Sequence, residues 1–122
     1  MSLIDPVTLS LVKSALDAGL MRQTAHAANI ANAGTPGFRP FAVTFEENLG
    51  EVRDAIDDGT LSSIDTRSLP AAHLAVQPGT APVQLDAEVA AMSADALHYQ
   101  ALTHVLSEQY AIVNLAMSSG DR

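Results

Sequence analysis

The strongest constraint on the fold is a run of residues in the last third of the chain, spaced alternately four and three apart. All of them are apolar or aromatic except one threonine: Leu85, Val89, Met92, Ala96, Tyr99, Thr103, Leu106, Tyr110, Val113 and Met117. Residues at this spacing lie on one face of an α-helix and form the packing seam of a coiled coil. We therefore predict a long C-terminal helix from about Asp86 to Ser118, with Asp86 as its N-cap and Gly120 beyond its end.

A second long helix is predicted at the N-terminus, over residues 5–33. Asp5 is the candidate N-cap, and Pro6 is favoured at the first helical position. Glycine and proline residues that would end the helix follow it: Gly34, Pro36 and Gly37. Its own alternating seam is apolar early and mixed later: Leu9, Val12, Leu16, Gly19, Gln23, His26 and Ile30. Gly19 would allow another helix to approach closely, which would compensate for its low helix propensity.

The segment between the helices has a different chemistry, and all three phenylalanines of the chain lie in it. Phe41, Val43 and Phe45 alternate with other residues at the period of a β-strand. A short helix over 44–56 is also predicted, with Thr44 and Glu47 spaced as a capping box. Residues 60–82 hold several prolines and are predicted to form an irregular connector.

These patterns predict a mainly α fold in which two long terminal helices pair as a coiled coil or hairpin, with a short, partly extended or β-containing middle segment. At 122 residues the chain has the size of one small domain. Three regions are expected: an N-terminal helix with its turn (1–36), the middle segment (37–82) and a C-terminal helix (83–122).

The charge and the absence of cysteine exclude several classes of function. Fourteen acidic residues against six basic ones give a net charge of −8, which would repel phosphate backbones, so nucleic acid is not an expected partner. Without cysteine there is no disulfide and no thiolate site. No stretch reads as a bilayer-spanning helix or as a cleaved secretory signal.

No catalytic, cofactor-binding or metal-binding residues are predicted. The chain has four histidines: His26, His73, His98 and His104. No two of them have the i, i+4 spacing of a helical zinc-binding pair. No nucleophile elbow, P-loop or dinucleotide fingerprint occurs. Seven of the acidic residues lie between Glu46 and Asp65, and this cluster is interpreted as a solvated face. The sequence therefore indicates a protein that is not an enzyme.

A motif at the end of the N-terminal helix resembles a known family signature. The run reads Ala28-Asn29-Ile30-Ala31-Asn32-Ala33-Gly34-Thr35-Pro36-Gly37-Phe38-Arg39. It resembles the N-terminal signature of the flagellar basal-body rod and hook family, which is close to Asn-hydrophobic-Ala-Asn-x-x-Thr-Pro-Gly-aromatic-basic. Phe38 stands where tyrosine is common, and Arg39 stands where lysine is common. Residues 83–92 and 99–102 resemble the C-terminal region of proximal-rod members.

The resemblance implies a structural role in which the terminal helices form an axial coiled coil near the centre of a hollow tube. It implies export by the flagellar type III apparatus without a cleaved signal, and a location in the periplasmic rod of the basal body. The implied partners are other copies, other rod subunits, and the basal-body ring with its rod adaptor. The implied assembly motif is Asn29, Ile30, Ala31, Asn32, Thr35, Pro36, Gly37 and Phe38.

The motif, the C-terminal seam and the function each have an alternative interpretation. The Thr-Pro-Gly sequence is also an ordinary helix-ending turn, and the C-terminal seam could be the core of a self-contained hairpin. Apolar residues off the two seams favour burial against other molecules: Leu20, Met21, Leu102, Val105 and Ile112. A soluble helical adaptor or export chaperone is the second hypothesis, and an enzyme is the weakest.

Overall fold

The computed structural model describes residues 5–45, 49–69 and 71–120, and most of them are helical. The elements in chain order are α1 (Pro6–Ala31), β1 (Phe41–Thr44), α2 (Gly50–Asp57), β2 (His73–Val76) and α3 (Leu85–Gly120). Single 3-10 turns at Leu61–Ser63 and Thr66–Ser68 lie between α2 and β2. The prediction of two long terminal helices with a partly β middle segment is therefore confirmed.

Helix α1 begins where the sequence predicts. The Asp5 side chain accepts a hydrogen bond from the Val7 N–H (2.9 Å), and Pro6 is the first helical residue. The helix ends at Ala31, two residues earlier than predicted, and Asn32 is its C-cap. Both the backbone N–H and the side-chain amide of Asn32 donate to the Ala28 carbonyl, at 3.1 Å and 2.9 Å, and satisfy one of the carbonyls that a helix end exposes.

Helix α3 includes both residues that were predicted to flank it. It begins at Leu85, so Asp86 lies in its first turn instead of capping it, and Gly120 is its last helical residue. Acidic Asp86 and Glu88 in the first turn are placed favourably for the helix dipole. Within the described ranges, no helix combines the length and the apolar character needed to cross a bilayer.

The middle segment differs from the prediction in two places. Thr44 is the last residue of β1, so it does not start a helix; α2 begins at Gly50, and Glu47 lies outside the described residues. The connector contains β2, which pairs antiparallel with β1 so that Phe41 faces Val76. Every residue of β2 is exposed, and the sequence therefore carries no alternation of buried and exposed residues that would indicate a strand.

Helices α1 and α3 contact each other and run antiparallel. Gly19 lies against Tyr99, and His26 further along α1 bonds to Glu88, which is earlier in α3. Residues that come later in α1 therefore contact residues that come earlier in α3, as in any antiparallel pair. Helix α1 also contacts β1, so the sheet and α3 both pack on the N-terminal helix.

The core of the described residues is small. Its buried apolar members come from α1, from α2 and from the residue that follows β1: Val7, Ala18, Ala25, Phe45, Val52 and Ala55. Asn29 is the buried polar residue among them. No residue of α3 is fully buried, so the face that α3 turns toward α1 is only partly covered.

The two predicted seams are covered unevenly. In α1, Leu9, Val12 and Leu16 are half-buried. In α3 the half-buried seam members include Met92, Tyr99, Leu106 and Val113. Other members are exposed, contrary to a continuously packed seam: Leu85, Val89, Tyr110 and Met117. Length accounts for Leu85 and Met117 at the ends of α3, because α3 has 36 residues and α1 has 26, so α1 cannot cover α3 from end to end. Val89 and Tyr110 lie between half-buried positions, and helix length does not account for their exposure.

Candidate assembly motif and helix interface

The motif residues lie at the end of α1 and in the turn that follows it. They fall into a buried or half-buried group and an exposed group. Asn29 is completely shielded from solvent, and Ile30 is half-buried. Ala31 is exposed, as are Thr35, Pro36 and Gly37 in the turn. The first part of the motif therefore faces the interior of the chain, and the turn faces solvent.

Asn29 joins α1 to the outer edge of β1. Its Nδ2 donates to the Phe41 carbonyl at 2.9 Å, and its Oδ1 accepts from the Phe41 N–H at 2.7 Å. On the side of the chain that faces β2, the Pro40 carbonyl accepts a hydrogen bond from the Gln77 N–H. In an antiparallel pair the backbone groups of successive residues point to alternate sides, so those of Phe41 point away from β2. The Asn29 amide thus occupies the place of a neighbouring strand's peptide group.

Asn32 and Thr35 organise the start of the turn. The Thr35 N–H donates to the Asn32 carbonyl at 2.9 Å, and the Thr35 hydroxyl bonds to Asn32 Oδ1 at 3.3 Å. The two asparagines therefore bond within their own chain.

The Thr35-Pro36-Gly37-Phe38 sequence has the arrangement of a type II turn. The Phe38 N–H donates to the Thr35 carbonyl at 3.2 Å, Pro36 occupies the second position, and Gly37 has φ +74° at the third. That angle favours glycine, because a Cβ would strain the left-handed conformation. A surface groove of about 410 Å³ runs between this turn and Val83.

The turn is connected to the sheet by its last residues. The rings of Phe38 and Phe41 meet edge to face, with their centroids 5.8 Å apart. Arg39 donates from Nη2 to the Gln77 carbonyl at 3.1 Å. Aromatic edge contacts of this kind are favourable beyond the area that they bury, so the turn is held against β1 and the residue after β2.

A polar cluster lies in the contact between α1 and α3 and consists of His26, Asn29, Glu88 and Asp95. His26 Nδ1 is 2.6 Å from Glu88 Oε2, and His26 Nε2 is 2.9 Å from Asp95 Oδ2. Asn29 Nδ2 also donates to Glu88 Oε2 at 3.2 Å. Sequence reasoning placed His26 on the seam but missed its two acidic partners. Their separation of seven residues, which puts them on one helix face, is the signal that could have found them.

Gly19 of α1 lies directly against the side chain of Tyr99 on α3. A Cβ placed on Gly19 would lie 3.1 Å from Tyr99 Cδ2 and 4.0 Å from Tyr99 Cβ. The ring of Tyr99 thus contacts α1 at Gly19, where the sequence predicts room for a neighbouring helix. A groove of about 370 Å³ lies beside the ring and is lined by residues that include Ala15 and Leu102.

An apolar surface on α3 faces away from α1. We call it the outer α3 face; its members are exposed by 49–71% and are Leu97, Val105, Ile112 and Leu115. At about 3.6 residues per turn they lie within a sector of about 80°, roughly opposite Tyr99. The sequence predicted surplus apolar surface at Val105 and Ile112, and both are exposed; Leu102 belongs to the half-buried side instead.

Titratable groups outside the polar cluster are mostly exposed. Arg67 donates from its side chain to both carboxylate oxygens of Asp65. These bonds, together with one from the Arg67 backbone N–H, lower the pKa of Asp65. His104 and Glu108 form an exposed i, i+4 pair at 3.2 Å. Within the described part of the chain, no group of three or more histidine and acidic residues could hold a metal ion.

Comparisons with protein-family models and with curated protein sequences find no match to this chain. The resemblance to the rod and hook family therefore rests on residues 28–39 and on the C-terminal stretches quoted with them.

Proposed function

We propose that this chain is a structural subunit of the bacterial flagellar basal-body rod, of the proximal-rod type usually called FlgB, and that it is not an enzyme. In this proposal α1 and α3 pair as an antiparallel coiled coil, and copies assemble side by side into the axial tube. The motif over residues 28–39 is the observation that carries the proposal. Its exposed Thr35-Pro36-Gly37 turn, held rigidly by Asn32 and Phe38, is suited to contact a neighbouring molecule.

The outer α3 face supports assembly. Fully burying a side chain such as leucine or valine gains about 1.5–3 kcal/mol. Because the four side chains are 49–71% exposed, covering them would gain on the order of 4–7 kcal/mol. Association costs roughly 4–15 kcal/mol in lost translational and rotational freedom. One such contact barely offsets this cost, so stable assembly requires several contacts per subunit, as a helical lattice provides.

The proposed coiled coil is supported by the Gly19–Tyr99 approach and by the half-buried α3 positions spaced seven apart, Met92, Tyr99, Leu106 and Val113. Further copies would cover seam residues that α1 leaves exposed, such as Tyr110 and Met117. Helix α3 would then contribute both to the core of the hairpin within one chain and to contacts between subunits.

The family resemblance supplies the proposed location and partners. The chain would leave the cytoplasm through the flagellar type III export apparatus and join the periplasmic rod. Its neighbours there would be itself, other rod subunits, and the basal-body ring with its rod adaptor. The net charge of −8 suits a protein that stays dispersed before it assembles.

The decisive experiment locates the tagged chain by labelled density in isolated basal bodies. Deletion of its gene should abolish swimming, and the unaltered chain should restore it. Pro36→Asp, on the exposed turn, should accumulate as helical protein but fail to enter basal bodies. Normal swimming with Pro36→Asp would contradict the role of the motif.

The same material tests the alternative of a soluble adaptor or export chaperone. That alternative predicts a discrete cytosolic complex with one client and no chain in purified basal bodies. Recovery of such a complex, together with a monomer that ignores rod proteins at high concentration, would overturn the rod proposal.

A further inference from the structure

The polar cluster lies inside the helix contact and is substantially shielded from water. The side chains of His26, Glu88 and Asp95 are only 18%, 13% and 26% exposed. Taking charged groups out of water is costly unless each finds a partner. Among the described residues, no buried side-chain polar atom lacks a hydrogen-bond partner. The observed alignment of the helices therefore satisfies groups that a different alignment would leave without partners.

The apolar repeat of α3 by itself selects the alignment of α1 and α3 weakly. The half-buried positions Met92, Tyr99, Leu106 and Val113 recur every seven residues, so a shift of one heptad replaces one apolar side chain by another. Apolar contact is non-directional, and such a shift moves one helix along the other by only about 10 Å. Apart from the Gly19–Tyr99 contact, which such a shift would lose, a shifted register still turns apolar side chains of α3 toward α1.

The cluster distinguishes these registers. Glu88 and Asp95 are seven residues apart, and His26 lies between them with one ring nitrogen toward each. A shift of one heptad in one direction would place His26 between Asp95 and Leu102, and would leave Glu88 without the imidazole. Carboxylates only accept hydrogen bonds, so Glu88 would then lose a donor in a site of low solvent access.

Asn29 extends this selection to the sheet. The same Nδ2 that donates to Glu88 donates to the Phe41 carbonyl, and both bonds require α1, α3 and β1 to be aligned together. Gln23 adds a bond from Nε2 to the Met92 carbonyl at 3.0 Å. The polar contacts on α1 therefore recur at Gln23, His26 and Asn29, one helical turn apart.

We infer that the polar cluster of His26, Asn29, Glu88 and Asp95 selects a single register for α1 on the α3 helix of the same chain. It reserves this face of α1 for pairing with α3 of the same chain. This selection operates within one chain, whether or not that chain enters a rod.

Engineered cysteines report the register directly, because the chain has no cysteine of its own. The native-register pair is Gly19→Cys with Tyr99→Cys: a Cβ on Gly19 lies 4.0 Å from the Tyr99 Cβ, within the span of a disulfide. The shifted-register pair is Gly19→Cys with Leu106→Cys, one heptad further along α3. Each pair is equilibrated in a thiol–disulfide buffer, and gel mobility separates bonds within a chain from bonds between chains.

The test replaces the three ionisable members together, with His26→Leu, Glu88→Leu and Asp95→Leu. This variant should remain helical by circular dichroism, because well-packed apolar residues can replace a buried charged group. Its ratio of native-register to shifted-register disulfide should fall at least about tenfold, or disulfides between chains should appear. The matched control, His104→Leu with Glu108→Leu, changes an exposed histidine–carboxylate pair and should keep the original ratio.

An unchanged ratio in a helical triple variant would overturn the inference. If the triple variant does not fold, Glu88→Gln and Asp95→Asn provide the second test, because they keep side-chain size and remove one charge each. Each should lower the ratio while the chain remains helical. Retention of the full preference in both would also overturn the inference.

Discussion

The side-chain amide of Asn29 hydrogen-bonds both backbone groups of Phe41, donating to the carbonyl at 2.9 Å and accepting from the N–H at 2.7 Å. Because Asn29 is completely shielded from solvent, water cannot readily take over either bond. One side chain thereby fixes the distance between the last turn of α1 and the first residue of β1.

Asn29→Ala should lower the free energy of unfolding by about 1–3 kcal/mol, because it leaves polar backbone groups of Phe41 without this partner. Asn29→Asp should cost more at neutral pH, since a carboxylate cannot donate to the Phe41 carbonyl and would face Glu88. Urea denaturation measures both. Asn32→Ala is the matched control and should cost less, because Asn32 is only half-buried. Equal effects at the two asparagines would contradict this assignment.

The effect of Gly19→Ala on the free energy of unfolding should depend on whether Tyr99 is present. In a Tyr99→Ala background the substitution should stabilise α1 by up to about 1 kcal/mol, the helix-propensity gain of alanine over glycine. In the natural background much of that gain should be lost, because the new Cβ would lie 3.1 Å from Tyr99 Cδ2. A double-mutant cycle measures the coupling.

Gly50→Ala serves as the control for this cycle, since a Cβ at Gly50 would meet no atom within 4 Å. Its effect should be the same with and without Tyr99. Gains at Gly19 that are equal in both backgrounds would show that the helices do not approach closely there.

Arg67→Ala should raise the pKa of Asp65, because the Arg67 side chain is the main cause of its depression and the backbone N–H bond would remain. A depressed carboxyl pKa contributes stability above its unfolded-state value, and that contribution is lost as the pH falls through the folded-state value. Because Asp65 is exposed, the readout is its carboxyl titration by NMR and not global stability. Arg53→Ala should leave the pKa of Asp65 unchanged, and an unaltered titration in Arg67→Ala would refute the stated cause.

Leu97→Ser combined with Leu115→Ser should weaken self-association while leaving the monomer folded. Both side chains are about 70% exposed, at 68% and 71%, so each substitution should change monomer stability by about 0.5 kcal/mol or less. Sedimentation across a concentration series measures the association, and thermal melting measures the fold. Ile56→Ser, a comparably exposed site on α2, should not alter association. An equal loss at Ile56 would indicate non-specific hydrophobic attraction.

The long helices could be predicted because their signals are local and repeated. Asp5 and Pro6 mark the start of α1, and the seven-residue recurrence through Met92 and Tyr99 identifies α3. The end of α1 was placed too late because Gly34 suggests a glycine stop. Asn32 instead ends the helix by bonding to Ala28, and this bond depends on a side-chain conformation that sequence pattern does not reveal.

The sheet and the polar cluster were harder to predict because they depend on distant partners. Strand β2 is exposed throughout and is held by backbone pairing with β1, which leaves no hydrophobic alternation. His26 meets Glu88 and Asp95 more than sixty residues away in sequence. The sequence shows that a histidine and two carboxylates are present and could form hydrogen bonds. Only the antiparallel alignment of the two helices brings these groups together.

The opposite burial of Asn29 and Pro36 gives the two halves of the motif different consequences in a living cell. A substitution at Asn29 would loosen the chain and increase its exposure to proteases, so the protein level should drop. A substitution at Pro36, which lies on the surface, should leave a normally abundant protein that fails only in its task. Immunoblotting of whole cells would therefore separate loss through degradation from loss of contact with neighbours.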